Sequence, residues 1–349
     1  MTFMTISEVV DAARRSLPQD VWDFAAGGTE TEATVRRNRG ALDRLLFRPR
    51  VLVDVGDRRT DCVVMGHQLS LPVMLAPAGS IALFDPEGAV ASARAASAAG
   101  TVAFVSVMAD PRLEEVAEAA PGPKILQIGP LGDRDWMKSV VQRAEDAGYE
   151  GLCLTLTNAA APLNERNVRN RYDPHAYHRL TNFDGRHPDS KHAPRLSWDD
   201  VAWLRTQTEL PLILKGIMAP DDAHLAVEHG ANAVYVSNHG GLRLDYAPAT
   251  IEVLPDIADA VGNRVPVLVD SGFAHGTDVL KALALGASGV LIGKLQCWGL
   301  AAGGSEALAQ TLNLLREEML ASMGLLGVSR VDDLGPQHVQ QVSWAAPPN

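Results

Sequence analysis

The stretch "LILKGIMAPDDAHLAVEHGANAVYVSNHGG", Leu212 to Gly241, decides the fold. It opens with a continuous apolar run, "LILKGI" (212–217), and closes with a second, "AVYVSNHG" (233–240). Between them "PDDAHLAVEHGA" has the look of a helix that stops on a glycine. Apolar runs without polar alternation, joined by a helix, belong to a parallel sheet buried on both faces. Working outward, the same unit recurs. "PVMLAPA" (72–78), "VAFVSV" (102–107), "KILQIG" (124–129) and "GLCLTLT" (151–157) precede it. "VPVLVDSG" (265–272) and "GVLIGK" (289–294) follow. The helical segments between them, such as "EGAVASARAASAAG" (87–100), also close on glycine.

Eight strand–helix units predict a closed (β/α)8 TIM barrel, as one domain over 1–349. A doubly wound sheet is the alternative, but "LAPAGSIALF" after the first run lacks the G-x-G-x-x-G fingerprint. The first 60-odd residues are expected to form helices capping the barrel floor. The rhythm breaks at residues 158–198, a long polar segment rich in Asn, His, Arg, Pro and Asp. At a strand's C-terminal end this predicts an active-face loop or lid.

The 349 residues are 46% hydrophobic, enough for a core of that size. With 42 acidic against 31 basic residues the net charge is −11, which argues against nucleic acid or an anionic membrane as partner. The opening residues carry early acidic side chains and no apolar h-region, so no secretory signal is expected. Cys62, Cys153 and Cys297 are too dispersed for a disulfide framework or zinc pair. A cytoplasmic protein with buried thiols is the expectation.

In a barrel the strand C-termini form the active face. They offer Ala76-Pro77-Ala78, Ser106, Gln127, Thr155 with Thr157, Lys215, Ser237-Asn238-His239, Asp270-Ser271-Gly272 and Gly293-Lys294. Gly272 and Gly293 allow backbone N–H groups to approach an anion, and each precedes a helix N-terminus. With Lys294 they predict a phosphate site. A buried lysine such as Lys215 is costly unless paired, so it is expected either to form a Schiff base or to stabilise negative charge on a cofactor. His239 suits a general base.

Taken together, "DFAAGGTETEATVRRNRGALDRLLFRPRVLVDV", "LAPAG", "DPEGAVASARAASAAGT", "LILKGI", "VSNHGG", "LDYAPATIEVL", "GTDVLKALALGASGVLIGK" and "WGLAAGG" resemble the FMN-dependent α-hydroxy-acid oxidase/dehydrogenase family over nearly the whole chain. The resemblance implies a barrel that binds FMN. Ala76, Pro77 and Ala78 would pass beside the flavin. Ser106, Gln127 and Thr155 would bond its ring edge, with Lys215 near N1 and C2=O. Asp270 would meet the ribityl chain, and Gly272, Gly293 and Lys294 the phosphate, with Ser237 and Ser271 alongside. His239 would take a proton as a hydride equivalent leaves for N5. Relatives are commonly tetramers or octamers, so a homo-oligomer is implied.

The substrate side departs from the family pattern. Its carboxylate-binding tyrosine and arginine positions hold Phe24 and Leu242, and its Q-x-Y tyrosine is Gly129. The aspartate that pairs with the histidine is Thr157, and a further arginine is Asn164. On the cofactor side, an arginine after the strand-seven glycines is Ala274. Losing an oriented arginine–carboxylate pair would cost a hydroxy-acid substrate roughly 2–5 kcal/mol. The expectation is therefore a larger, less acidic small molecule, oxidised at a C–H beside a hydroxyl or amine. Arg243, one residue beyond Leu242, is expected to point elsewhere. Two other readings stay open: an FMN enzyme with non-oxidative chemistry, and an inactive barrel serving as a binding or assembly subunit.

Overall fold

A computed structural model describes residues 2–173, 176, 179–183 and 195–342. The eight apolar runs form eight parallel strands: β1 (Val73–Leu75), β2 (Ala103–Ser106), β3 (Lys124–Ile128), β4 (Leu152–Thr155), β5 (Leu212–Ile217), β6 (Ala233–Val236), β7 (Val267–Val269) and β8 (Gly289–Ile292). β8 pairs with β1, which closes the barrel. Closure leaves no free sheet edge, and both faces of every strand are covered. β2, β4, β6 and β8 have no exposed residue, which is why they read as unbroken apolar runs.

The unit over 212–241 shows how local sequence sets this architecture. Pro220 opens the helix Pro220–Glu228, and Asp221 and Asp222 lie in its first turn, where the helix dipole favours negative charge. Gly230 then takes a left-handed φ of 81°, and the chain enters β6. No helix among the described residues is long and apolar enough to cross a membrane.

The N-terminal segment departs from expectation. The barrel floor is met by a hairpin, Cys62–Val64 paired with His67–Leu69, whose Val64 lies against the start of β8 at Gly289. The helices α1 (Ile6–Ser16), α2 (Gln19–Ala26) and α3 (Ala33–Asp43) are placed differently. α1 packs on the C-terminal helical segment Lys294–Leu326, which is broken at Gly303 and Gly304. The end of α2 and α3 as far as Asn38 reach the opposite face, the mouth. Asn38 of α3 exchanges two side-chain hydrogen bonds with Asn238, at 3.0 and 2.7 Å. Gly28 approaches the Gly241 carbonyl so closely that a Cβ there would sit 2.9 Å from it. Periodicity identifies a helix but not which end of a barrel its apolar face covers.

Of the expected loop over 158–198, residues 174–175, 177–178 and 184–194 lie outside the described residues. The described part holds a helix, Glu165–Asn170, and a turn, Thr181–Phe183. Arg166 ties it to the mouth helices through both oxygens of Glu32, at 2.6 Å each.

Candidate active site

Strand register gathers polar groups into one ring. Ser106 stands opposite Gln127 across β2 and β3, and Thr155 opposite Lys215 across β4 and β5. Gln127 Nε2 donates to Thr155 Oγ1 (3.0 Å) and to the Ile128 carbonyl (2.8 Å). All four side chains are buried.

Lys215 is the centre of a second network. Its ammonium donates to Ser237 Oγ at 2.8 Å and lies 3.4 Å from Asp270 Oδ2 and 5.0 Å above the Tyr235 ring. The Tyr235 hydroxyl donates to the same Asp270 oxygen (2.8 Å), and Ser271 donates to the other (2.8 Å). A buried ammonium thus has a carboxylate counter-charge, which is in turn held by two hydroxyls. Burial pushes the Tyr235 phenol well above its ordinary value, with the Asp270 charge adding to it. This keeps Tyr235 a donor. Tyr235 was not singled out by sequence reasoning, because an aromatic inside an apolar strand reads as core.

His239 stands on a strained turn just beyond β6. Its φ is 59°, uncommon for a residue with a side chain. Ser237 Oγ accepts its N–H at 3.1 Å, and Gly240 N–H donates to Ser271 Oγ at 3.0 Å. The imidazole Nδ1 is 2.9 Å from Thr157 Oγ1. Burial, then the positive charges of Lys215 and Arg243, hold its pKa well below the usual imidazole value. The His239 imidazole is therefore neutral at neutral pH.

The remaining expected residues divide. Ala76 is buried at the β1–β8 seam, where its N–H bonds the Ile292 carbonyl (3.0 Å), with half-buried Pro77 and Ala78 beyond. Gly272 and Gly293 stand at the ends of β7 and β8, and Gly293 opens the helix Lys294–Leu326 with no side-chain cap. Lys294 turns away from that helix end: its ammonium donates to the carbonyls of Ala26 (2.9 Å) and Gly27 (2.7 Å) at the end of α2. Burial lowers its pKa to about 8. Gly129 is buried, and a Cβ there would come 3.3 Å from the Asn158 amide. Phe24 packs at 6.1 Å, tilted, on Tyr172. Asn164 is committed elsewhere, since its Oδ1 accepts Asn167 N–H (3.1 Å) and caps the helix Glu165–Asn170. The pair Asn164-Glu165 carried that N-cap signal in the sequence.

Arg243, expected to point elsewhere, is half-buried. Its Nε is buried and has no hydrogen-bond partner among the described residues. Its positive charge is among the causes that lower the His239 pKa, so it lies near the imidazole. Asn158 Oδ1 is a second buried polar atom without a partner on this face.

The donor set fits FMN. A cation and neutral amide and hydroxyl groups line β2 to β6, complementary to the polar edge of an isoalloxazine. An uncapped helix N-terminus at Gly293 suits a phosphate. No group of three or more His, Cys, Asp or Glu side chains among the described residues could hold a metal ion.

Comparison with known proteins agrees. A model of the FMN-dependent dehydrogenase family matches residues 13–341. Glycolate oxidase of Spinacia oleracea is 38% identical over 99% of this chain and 98% of its own. Among solved structures, mandelate oxidase carrying an arginine-to-leucine change, with 2-hydroxy-phenylacetamide bound, superposes with a TM-score of 0.91 and 39% identity, over 97% of this chain and 99% of its own. A soluble mutant of the membrane-associated (S)-mandelate dehydrogenase of Pseudomonas putida gives a TM-score of 0.92 at 32% identity, over 97% of this chain and 100% of its own.

Proposed function

The chain belongs to the FMN-dependent dehydrogenase family, and from that premise we propose that it oxidises a C–H beside a hydroxyl or amine in a substrate larger than the family's small α-hydroxy acids. FMN supplies the two-electron acceptor. Ser106, Gln127, Thr155 and Lys215 would hold the polar edge of the ring, with Ala76–Ala78 beside it. The N–H groups near Gly272 and Gly293 take the phosphate. Lys215 places positive charge where a reduced flavin would carry negative charge. His239 receives the proton of the substrate's hydroxyl or amine at a ring nitrogen as the C–H bond breaks.

One observation carries this reading: a half-buried, neutral His239 shares the mouth with the Lys215–Asp270 pair. The proposed size of the substrate rests on Gly129, where a side chain is missing opposite Asn158, and on Leu242 and Phe24 in place of polar anchors. A cytoplasmic homo-oligomer is part of the same proposal.

The test is anaerobic mixing of the FMN-loaded protein with a panel of substrates, following the oxidised flavin band. Glycolate, lactate and mandelate should leave the band intact, and larger hydroxy or amino compounds should bleach it. Turnover of any of the three small acids at ordinary enzyme rates would overturn the substrate assignment.

A further inference from the structure

The turn that carries His239 also directs Arg243. His239, Gly240 and Gly241 are all left-handed, with φ of 59°, 66° and 79°. Leu242 then returns to φ −91°. The coil is pinned from several sides. Asn238 Oδ1 accepts Gly241 N–H (3.2 Å), and Leu242 N–H bonds the His239 carbonyl (3.2 Å). The Gly241 carbonyl accepts Thr29 N–H at 2.9 Å. Just downstream, Asp245 is fixed to α3 by the N–H groups of Thr31 and Thr34, both at 2.9 Å. Arg243 leaves a segment held at both ends, and its Nε is buried.

What it meets there is incomplete. No carboxylate among the described residues forms an ion pair with it, and its Nε is buried without a partner. Burial alone shifts the guanidinium below its ordinary pKa, with no anion opposing the shift. A half-buried guanidinium whose Nε is shut from water, with no counter-charge, is costly to the free protein. The cost is offset when an oxyanion lays its oxygens against the planar fork.

We propose that Arg243 anchors a carboxylate of the substrate in the pocket beside His239. The inference rests on the reading of this mouth as an oxidising site, and it names the substrate class: a larger molecule that keeps a carboxylate. Leu242 removes the anchor from one position, and the left-handed turn supplies another from the next. The displacement moves the anion relative to His239, so the carboxylate need not sit on the carbon that reacts. The preference against small α-hydroxy acids and the presence of a half-buried, unpaired arginine are then consistent.

The experiment titrates the FMN-loaded protein with phenylacetate and with phenylacetamide, its neutral counterpart, following the perturbation of flavin absorbance. Phenylacetate should bind saturably and more tightly than the amide. Arg243→Met should weaken the acid by at least about 30-fold and leave the amide nearly unchanged. Arg243→Lys, which keeps charge but loses the fork, should fall between, and it serves if the Met variant does not fold. Absence of phenylacetate binding, equal binding of acid and amide, or undiminished acid binding in the variants would each overturn the proposal. Binding is read without turnover. A protein that needs Arg243 for phenylacetate but never bleaches with any substrate would sink the oxidoreductase reading and leave the anchor in place. One that bleaches with a neutral substrate while its acid binding ignores Arg243 would do the reverse.

Discussion

Thr157 Oγ1 lies 2.9 Å from His239 Nδ1, the position from which a carboxylate would fix the tautomer of the imidazole. A carboxylate can only accept, so it forces the proton onto Nδ1. A hydroxyl can accept or donate, and so permits either tautomer. The half-buried imidazole also has no anion to offset the charges of Lys215 and Arg243. Thr157→Asp should therefore raise the His239 pKa and settle the proton on Nδ1. Histidine NMR titration reads this without a substrate. In the parent protein the His239 signals should stay those of the neutral ring through the usual imidazole range near 6.5, and in the variant they should titrate at higher pH. The sign for stability follows. The folded pKa lies below the unfolded one, so stability falls as pH drops through the unfolded value. His239→Gln should remove that part of the acid sensitivity.

Gly216 supports the same contact from behind. It sits at a register irregularity between Lys215 and Ile217 in β5, at φ 115°. A Cβ there would come 2.6 Å from Thr157 Cγ2. Gly216→Ala should cost about 1–3 kcal/mol in denaturant unfolding, from backbone strain and overpacking. It should also push Thr157 off His239 and move the histidine titration. A variant with parental stability and an unmoved His239 would show that the bulge relaxes freely.

These two positions mark where sequence reading succeeds and where it stops. The eight strands were legible because a strand buried on both faces has no polar alternation to confuse it with a surface strand or an amphipathic helix. Lys215, His239 and Asp270 were legible because charged groups at the ends of such strands are costly without a role. The direction of Arg243 was not, because it follows three left-handed residues, whose turn a sequence does not specify. The placement of α2 and α3 at the mouth escaped notice for a different reason. Their contacts, Asn38 to Asn238 and Gly28 to Gly241, join residues some 200 positions apart. No local pattern encodes such a pairing.

Glu114 makes a test outside the mouth. Arg143 grips both its oxygens, at 2.6 and 3.0 Å, and these hydrogen bonds hold its pKa at about 2, against burial that would raise it. A carboxyl depressed in the folded state contributes stability above its unfolded pKa and loses it as pH falls toward the folded one. Glu114→Gln should be less stable than the parent at pH 7. The gap should narrow below about 4.5, the ordinary glutamate range. A gap that stays constant down to pH 3 would mean the pair contributes through packing alone.

Asp270 carries the largest expected penalty. It faces Lys215 at 3.4 Å and accepts from Tyr235 and Ser271 at 2.8 Å each, and both charged side chains are nearly inaccessible. Asp270→Asn keeps the size of the side chain but strips the ammonium of its counter-charge. Breaking a buried pair from one side costs about 3–5 kcal/mol, and a sizeable drop in thermal midpoint should follow. Tyr235→Phe removes only a hydrogen bond to a charged acceptor, and should cost roughly 1.5–3 kcal/mol. Because both act through Asp270, their effects should not add: with the carboxylate gone, the tyrosine hydroxyl loses most of its value. The double variant should therefore be less destabilised than the sum of the singles, by 1 kcal/mol or more on the order expected for contacting groups. Simple additivity in urea unfolding would show that Tyr235 stabilises the barrel by filling space, and that its hydroxyl does not orient the lysine's counter-charge.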